Sequence, residues 1–598
     1  MNKSAKRIIA LIMAVGIIST SVGCSRGNDN GISTDNKGYT AGTYLGKATG
    51  NGGEIKVEVI VSDGKVSDIK ILEHSETKGL GDSAMEAIGE VIKNTNSTNV
   101  ETVSGATVSS NAMMEAVKDA LRQAGGTDDT FSKDEKQSLA GKEMQDEYTF
   151  DVVVVGAGGA GLSAAVEAAQ SGAKVVVIEK TMFAGGNTLV SGGGLNVPGT
   201  EQQIANGIED SVELFTEDTI KGGDNENDPE LVKVMAENAL DAANWLINDM
   251  GVELMPDRLQ QFGGHSVPRA LIPKGNKGTE LINKLKAKAE ELGVEFFMET
   301  SGKKLVEENG VIKGVVAENK GKEVVFNADK GVILATGGFG ADVEMRKKYN
   351  DHYDEKYKTT CTEASTGDGI KMAEEVGANL VDMEFIQVYP TCSPVTGIIS
   401  YVANSRFDGA ILVNQEGKRF VDEMGRRDVI SKGIIKQTDS IAYLIWGQEV
   451  ETVGNMVEVH SKEYETMEKD GVIFKADSIE EAAEHYGISK EALIETINRF
   501  NGFVAEGKDG EFNKGGTLRS IAEGPFYIQK VTPSTHHTMG GININTNAEV
   551  INKDGKVIEN LYAAGEVVGD IHGTNRLGGN AITDIVVFGR IAGQNVVK

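Results

Sequence analysis

The sequence predicts an α/β fold: a Rossmann-like dinucleotide-binding domain that carries an inserted capping domain and follows a smaller α/β domain. Three observations predict it. Residues 151–180 read DVVVVGAGGAGLSAAVEAAQSGAKVVVIEK: a buried strand, a glycine-rich turn, an Ala-rich helix, and a second buried strand ending in an acid. Further strands suited to that sheet are residues 324–326, 331–334 and 561–564, so a long segment is inserted before the fold closes. Residues 54–72 alternate apolar and polar side chains about a Ser-Asp-Gly turn, as a hairpin of a separate small domain should.

The chain has 598 residues, room for about three or four domains. Its formal net charge of −29 argues against nucleic-acid binding, which needs a basic footprint, and gives no reason to expect binding to anionic lipid. The 3 cysteines form no CxxC or CxxCH, which argues against covalent haem and iron–sulfur clusters; no metal site is expected. Cys361 and Cys392 read as plain thiols, with a disulfide between them left open.

At the N-terminus, Lys3, Lys6 and Arg7 precede an apolar run at 8–18 that is too short to span a bilayer comfortably. Ser21-Val22-Gly23-Cys24 follows and resembles a bacterial lipoprotein lipobox, with Ser21 where Leu is usual. Residues 1–23 are therefore expected to be a lipoprotein signal peptide, and Cys24 the lipidated N-terminus of an exported chain anchored to the outer face of the cell membrane. Residues 24–38, rich in Gly, Asn, Asp and Ser, read as a flexible tether.

The small domain spans 39–125, with helical patterns near 81–93 and 111–124, and a polar linker follows at 126–148. The dinucleotide-binding domain takes 149–384 and 537–598, with the capping domain at 385–536. In its first turn, Gly156 permits a tight bend, Gly158 lets a pyrophosphate approach the backbone, and Gly161 lets helix and strand pack closely. Glu179 ends the second strand, where an acid accepts from a ribose 2′-hydroxyl and repels a 2′-phosphate, so NADP is disfavoured.

Three later blocks carry the chemistry. The first is IQVYPT at 386–391 with GAILVNQEGKRFVDEMGRRD at 409–428; the second is THHTMGG at 535–541; the third is LYAAGEVVGDIHGTNRLGGNAITD at 561–584. In this order after the glycine-rich unit, they resemble the flavoprotein of soluble fumarate reductases. The wider family includes flavocytochrome c, urocanate reductase and succinate dehydrogenase flavoproteins, and the resemblance covers about residues 150–598. It implies FAD, bound by Gly156, Gly158, Gly161, Glu179, the 185–188 turn with Gly186, Asn187 and Thr188, then Ala335, Thr336, Gly337, Glu566, and the backbone of Asn580, Ala581 and Ile582. No His lies near Asn187, where membrane-bound relatives attach FAD, so the FAD is expected to be non-covalent.

Reducing an activated C=C bond needs a hydride donor, a proton donor and groups that hold a carboxylate and the charge developing beside it. Arginine suits a carboxylate because it binds in bidentate fashion. The resemblance gives Arg576 and His537 the substrate carboxylate, and Arg427 the proton for the α-carbon while flavin N5 gives hydride to the β-carbon. Arginine is an unusual acid, since its ordinary pKa lies above about 12. Which of His536 and His537 meets the substrate stays open from sequence.

Departures from the fumarate pattern point to the substrate. Tyr389 replaces the His of a QxHPT motif that takes the far carboxylate, and Val402 and Ala403 stand where a Thr-Glu pair would precede Arg406. The proton-relay acid is thus missing, although Arg406 remains. A Tyr at this position is what urocanate reductase shows, together with an Asp near Asn404. Tyr389 and Asn404 suit an imidazole, an aryl ring or another neutral tail. Urocanate and aryl acrylates therefore rank first, then fumarate, then small acrylates.

Residues 101–109 read ETVSGATVS and resemble the SGAT motif of FMN-binding domains, in which a transferase esterifies the FMN phosphate to the threonine, here Thr107. The expected enzyme takes electrons from a membrane electron-transfer chain through covalent FMN to FAD and then to a small unsaturated carboxylate. Two other readings stand beside it: an oxidase or dehydrogenase like the 3-ketosteroid or aspartate enzymes, and an electron-transfer flavolipoprotein without turnover.

Overall fold

A computed structural model describes residues 38–598, except 51–52, 75, 77–80, 104–105, 133–135 and 138–143. The signal segment with Cys24, and Ser104 and Gly105 of the SGAT motif, lie outside the described residues.

The small domain is a three-stranded antiparallel sheet of β1 (Gly42–Thr49), β2 (Glu54–Ser62) and β3 (Lys65–Glu73), covered by α1 (Gly81–Thr95) and α2 (Thr107–Gln123). Asp63 and Gly64 both take positive φ, 51° and 77°, which suits the two-residue turn between β2 and β3. Ile55, Val57, Val59 and Val61 of β2 point inward and meet Met85, Ile88, Met113 and Val117 of the helices. Helix α2 starts at Thr107, earlier than the helical pattern suggested. The Ser110 hydroxyl closes the first turn, donating to the Ala106 carbonyl at 2.9 Å while accepting from the Val103 amide at 3.0 Å.

The expected linker needs correction in its described part. Helix α3 (Asp128–Ser132) inserts Phe131 into the small domain's core, and Gln137 bridges the 99–101 backbone, its amide 2.7 Å from the Asn99 carbonyl.

The large domain opens with β4 (Glu147–Val155), α4 (Gly159–Gln170) and β5 (Val175–Ile178), parallel and in register from Val152 with Val175 to Val155 with Ile178. On the other side of β4 runs Lys322–Leu334. The sequence pattern suggested two strands here; they are one, with a register irregularity between Ala328 and Gly331. Val557–Ala563 then joins in parallel, Val332 opposite Leu561, so the C-terminal segment completes an eight-stranded sheet. Helix Asn580–Asn595 lies on α4 at close range: a side chain at Gly589 would come within 2.6 Å of the Ala160 carbonyl.

The intervening segment builds its own sheet around the long strand Phe526–Thr538, which pairs with Lys358–Thr359, Ile386–Cys392, Ala442–Trp446 and Ile473–Ala476. One apolar cluster there gathers Val402, Ala403, Leu412, Ile430 and Trp446, and a second gathers Ile411, Ile445, Leu493 and Phe500. Between them Arg419 makes paired hydrogen bonds to Glu423 at 2.9 and 2.8 Å and reaches Asp509 at 2.9 Å. These buried charges are mutually compensated, as burial demands.

The two flavin-type folds touch. Met182 and Phe183 leave the dinucleotide-binding loop and pack against the core of the small domain. Cys361 and Cys392 are both free thiols, each pushed up to about 12 by burial.

Candidate active site

The cradle begins where β4 ends. Gly156 has φ 106°, and a side chain there would strike the Ala335 carbonyl; one at Gly161 would overlap the Gly156 carbonyl. Both glycines hold the turn against its own scaffold. Gly158, Gly186 and Gly337 behave differently. A first side-chain carbon would find its nearest neighbour 4.0 Å away at Gly158 and 3.9 Å away at Gly186, and none within 4 Å at Gly337. Each of these three backbones therefore borders open space, as close approach of a dinucleotide requires. The Glu179 carboxylate closes one end, accepting from the Ala157 amide at 2.8 Å, and from the Thr181 amide and hydroxyl at 2.8 and 2.9 Å.

Several residues expected around FAD also have structural partners. Glu566 accepts from the Asn187 side chain and the Thr538 amide, each at 3.0 Å, and burial raises its pKa. Asn187 also receives the Thr362 amide at 2.8 Å. Thr188 is buried, and its side chain lies against Gly159. The Thr336 hydroxyl is buried with no partner among the described residues. The Asn580 side chain is consumed by Asn196 at 2.7 Å and Thr219 at 3.0 Å, which leaves the backbone of Asn580, Ala581 and Ile582 at the helix start as the surface it offers.

Beyond the cradle, strands Ile386–Cys392 and Phe526–Thr538 pair antiparallel and bring Tyr389 beside the two histidines. The Arg427 guanidinium stands 4.8 Å above the Tyr389 ring, and the His536 ring lies 5.7 Å from it. Arg427 is the first residue of helix Arg427–Ile435, and its guanidinium has no hydrogen bond or ion pair among the described residues. Arg576 is buried. Its Nη2 donates to Gln387 Oε1 at 2.8 Å, Gln387 Nε2 donates back to the Arg576 carbonyl at 2.7 Å, and its Nε has no partner.

The two histidines, of which the resemblance gives His537 the substrate carboxylate, lie on opposite faces of their strand. Successive residues of a strand point to opposite faces. His536 faces Tyr389, half-buried, with Nδ1 2.7 Å from the Thr360 hydroxyl. His537 is turned behind it, 6% exposed, with its ring 5.5 Å from His572, which leans on Asp584 at 3.2 Å. Burial and neighbouring arginines hold both imidazoles well below their ordinary pKa, so both are neutral. The same causes, burial first and then Arg427, lower Arg576 to about 10.

Asn404 closes the short 3-10 turn Val402–Asn404, half-buried, with no side-chain hydrogen bond among the described residues. Val402 and Ala403 point into the capping core, where the fumarate pattern has a Thr-Glu pair. Arg406 is 3% exposed and donates to the Glu423 carbonyl at 2.9 Å; burial lowers its pKa, and Tyr389 is the largest influence opposing that shift. Gln387 was missed from sequence, although it sits two residues before Tyr389 in a quoted motif. So was Tyr401, which interacts with Tyr389 and stacks on His460 with centroids 5.5 Å apart.

In the small domain Thr107 is exposed at the first position of α2. Two residues on, the buried Ser109 hydroxyl donates to the Glu76 carboxylate, and a side chain at Gly81 would collide with that pair.

Residues 151–582 match the family model described as an FAD binding domain, and residues 50–122 match the FMN-binding domain. The urocanate reductase of Eggerthella lenta is 43% identical over 98% of this chain and 97% of its own length. The chain belongs to the fumarate and urocanate reductase family of flavoproteins. Its relatives in that family include the fumarate reductase (cytochrome) of Shewanella frigidimarina, 42% identical over 78% of this chain and 80% of that protein. An open-conformation structure of a flavocytochrome c3 fumarate reductase superposes with a TM-score of 0.68 at 39% identity, covering 75% of this chain and 78% of that one. The protein is thus an oxidoreductase acting on a CH–CH group, with FAD and FMN as its cofactors.

Proposed function

We propose that the chain reduces the C=C bond of an α,β-unsaturated carboxylate whose far end is a neutral or aryl group, of the urocanate or aryl-acrylate type, in preference to fumarate. The observation that carries this reading is the Arg427–Tyr389–His536 grouping opposite Arg576. One side is cationic and suits a carboxylate; the other offers an aromatic face. Arg576 and His536 hold the carboxylate, with Gln387 orienting Arg576. Arg427, unpaired among the described residues, gives its proton to the α-carbon. FAD, when bound, would supply the hydride that the β-carbon receives. Tyr389 and Asn404 meet the tail, with neutral side chains where the fumarate pattern has a histidine for the second carboxylate.

The FAD is held without a covalent link, since Asn187 occupies the position near which membrane-bound relatives of the family attach it. Thr107 would hold FMN through a phosphoester made by a transferase, and that FMN would supply the entry point for electrons. An exported enzyme anchored by lipid at Cys24 has little access to soluble NADH, so a membrane chain of anaerobic respiration is the donor in this reading. Among the described residues no helix is long and apolar enough to cross a membrane.

The test is a substrate panel with reduced viologen as donor: urocanate, cinnamate, fumarate, acrylate and methacrylate. The reading expects the highest kcat/KM on urocanate or cinnamate. Highest kcat/KM on fumarate would overturn the tail assignment, and failure of every enoate to reoxidise the reduced protein would overturn the reductase.

A further inference from the structure

Arg426, the residue before Arg427, caps helix Arg427–Ile435 and reaches out of the capping segment. Its guanidinium grips Asp224 of the dinucleotide-binding domain in a fork, Nη1 to Oδ1 at 2.7 Å and Nη2 to Oδ2 at 3.0 Å. Its Nε is steadied by Asp428 at 3.0 Å. The same Asp224 carboxylate accepts the Thr574 hydroxyl. Thr574 is tied back, its amide 3.1 Å from the Gly223 carbonyl, and the Asn575 side chain donates to the Gly222 carbonyl at 3.1 Å. One carboxylate therefore joins the residue before Arg427 to the residue two before Arg576.

That position matters because Arg427 and Arg576 repel, and Arg427 is the largest charged contribution lowering the Arg576 pKa. Before substrate arrives, the two cationic segments need an anion to hold them at a working separation. Asp224 has the geometry for this. Its backbone is left-handed, φ 59°, just past the end of helix Val212–Gly222, which aims the carboxylate across the seam. Arg426 and Asp224 are 47% and 42% exposed, so the pair adds little to folding stability. Its bidentate form instead fixes direction and distance.

We propose that Arg426, Asp224 and Thr574 form a latch across the domain seam that sets the spacing of Arg427 and Arg576, making Asp224 and Arg426 positioning residues for the reaction. This rests on the functional reading above.

The experiment compares Asp224→Asn, Arg426→Gln, and the charge-swapped pair Asp224→Arg with Arg426→Asp, in the full flavinylated chain. Each single variant should lose about ten- to a hundredfold in kcat, with KM changed less and flavin content and melting temperature kept. Native kcat should fall with added salt and single-variant kcat should not, because the exposed pair is screened. The swapped pair should recover most of the loss. Single variants with native kcat and native salt dependence would overturn the latch, as would a swap that recovers nothing while both singles stay folded. Amide hydrogen exchange is read alongside. Asp224→Asn should speed exchange at 426–431 and 572–576, and unchanged exchange would overturn the latch even if no enoate is turned over, a result that by itself fails only the functional reading.

Discussion

The guanidinium of Arg427 rests 4.8 Å above the ring of Tyr389, the residue that replaces a histidine of the fumarate pattern. One substitution thus changes both what greets the substrate tail and what supports the proposed proton donor.

Tyr389→Leu removes the aromatic face and with it about 0.5–2 kcal/mol of cation–π attraction, so kcat should fall roughly three- to thirtyfold. Tyr389→Phe keeps the face and should keep kcat. Arg427→Ala should cost about 10²- to 10⁴-fold in kcat with flavin content intact. Steady-state kinetics with reduced viologen checks all three, and unchanged turnover in Arg427→Ala removes it as the acid.

His536→Ala should raise KM about tenfold or more, the worth of a hydrogen bond to a charged group. His537→Ala, which empties a site behind the pocket beside His572, should act mainly on melting temperature. The reverse pattern would return His537 to the substrate.

Both imidazoles sit well below their ordinary pKa, so neither loses a proton as pH rises through neutrality. In the proposed reading the cation that holds the carboxylate is Arg576, lowered to about 10. Its charged form is complete below that value and is lost as pH rises through it. The pH profile of kcat/KM should therefore show no histidine limb near 6.5 and should fall on the alkaline side near 10.

Gly158→Ala meets open space, so the apoprotein should fold normally while FAD affinity drops. Gly161→Ala drives its side chain into the Gly156 carbonyl and should lower the melting temperature of the apoprotein itself. Fluorimetric FAD titration beside thermal melts separates the two.

Thr107→Ala should abolish acid-stable covalent flavin, seen as in-gel fluorescence, and leave dissociable FAD. Covalent fluorescence persisting in that variant would place the attachment elsewhere.

The cradle was legible in the sequence because its function is local: Gly156, Gly158, Gly161 and Glu179 fall within one strand–helix–strand unit whose spacing is set by backbone geometry. The arginines were legible only through motif resemblance, since nothing near Arg427 or Arg576 in the chain marks them as facing each other. The histidine pair could not be resolved, because a strand shows its two faces with equal regularity and only the packing of His537 on His572 decides which face is inward. The latch was invisible, Asp224 and Arg426 being 202 residues apart. The polar run after residue 125 looked like a linker because Phe131 stands among polar and charged neighbours there, too little for a periodic signal yet enough to bury.

Ala403 carries a consequence for how such enzymes diverge. Restoring a glutamate there would place an ionisable group in a fully buried apolar cluster with Val402, Leu412 and Trp446. An unpaired carboxylate in those surroundings is strongly unfavourable. A relay acid at residue 403 would therefore need neighbouring residues to make room and supply a partner first, so a change of proton relay at this position has to begin in the capping core.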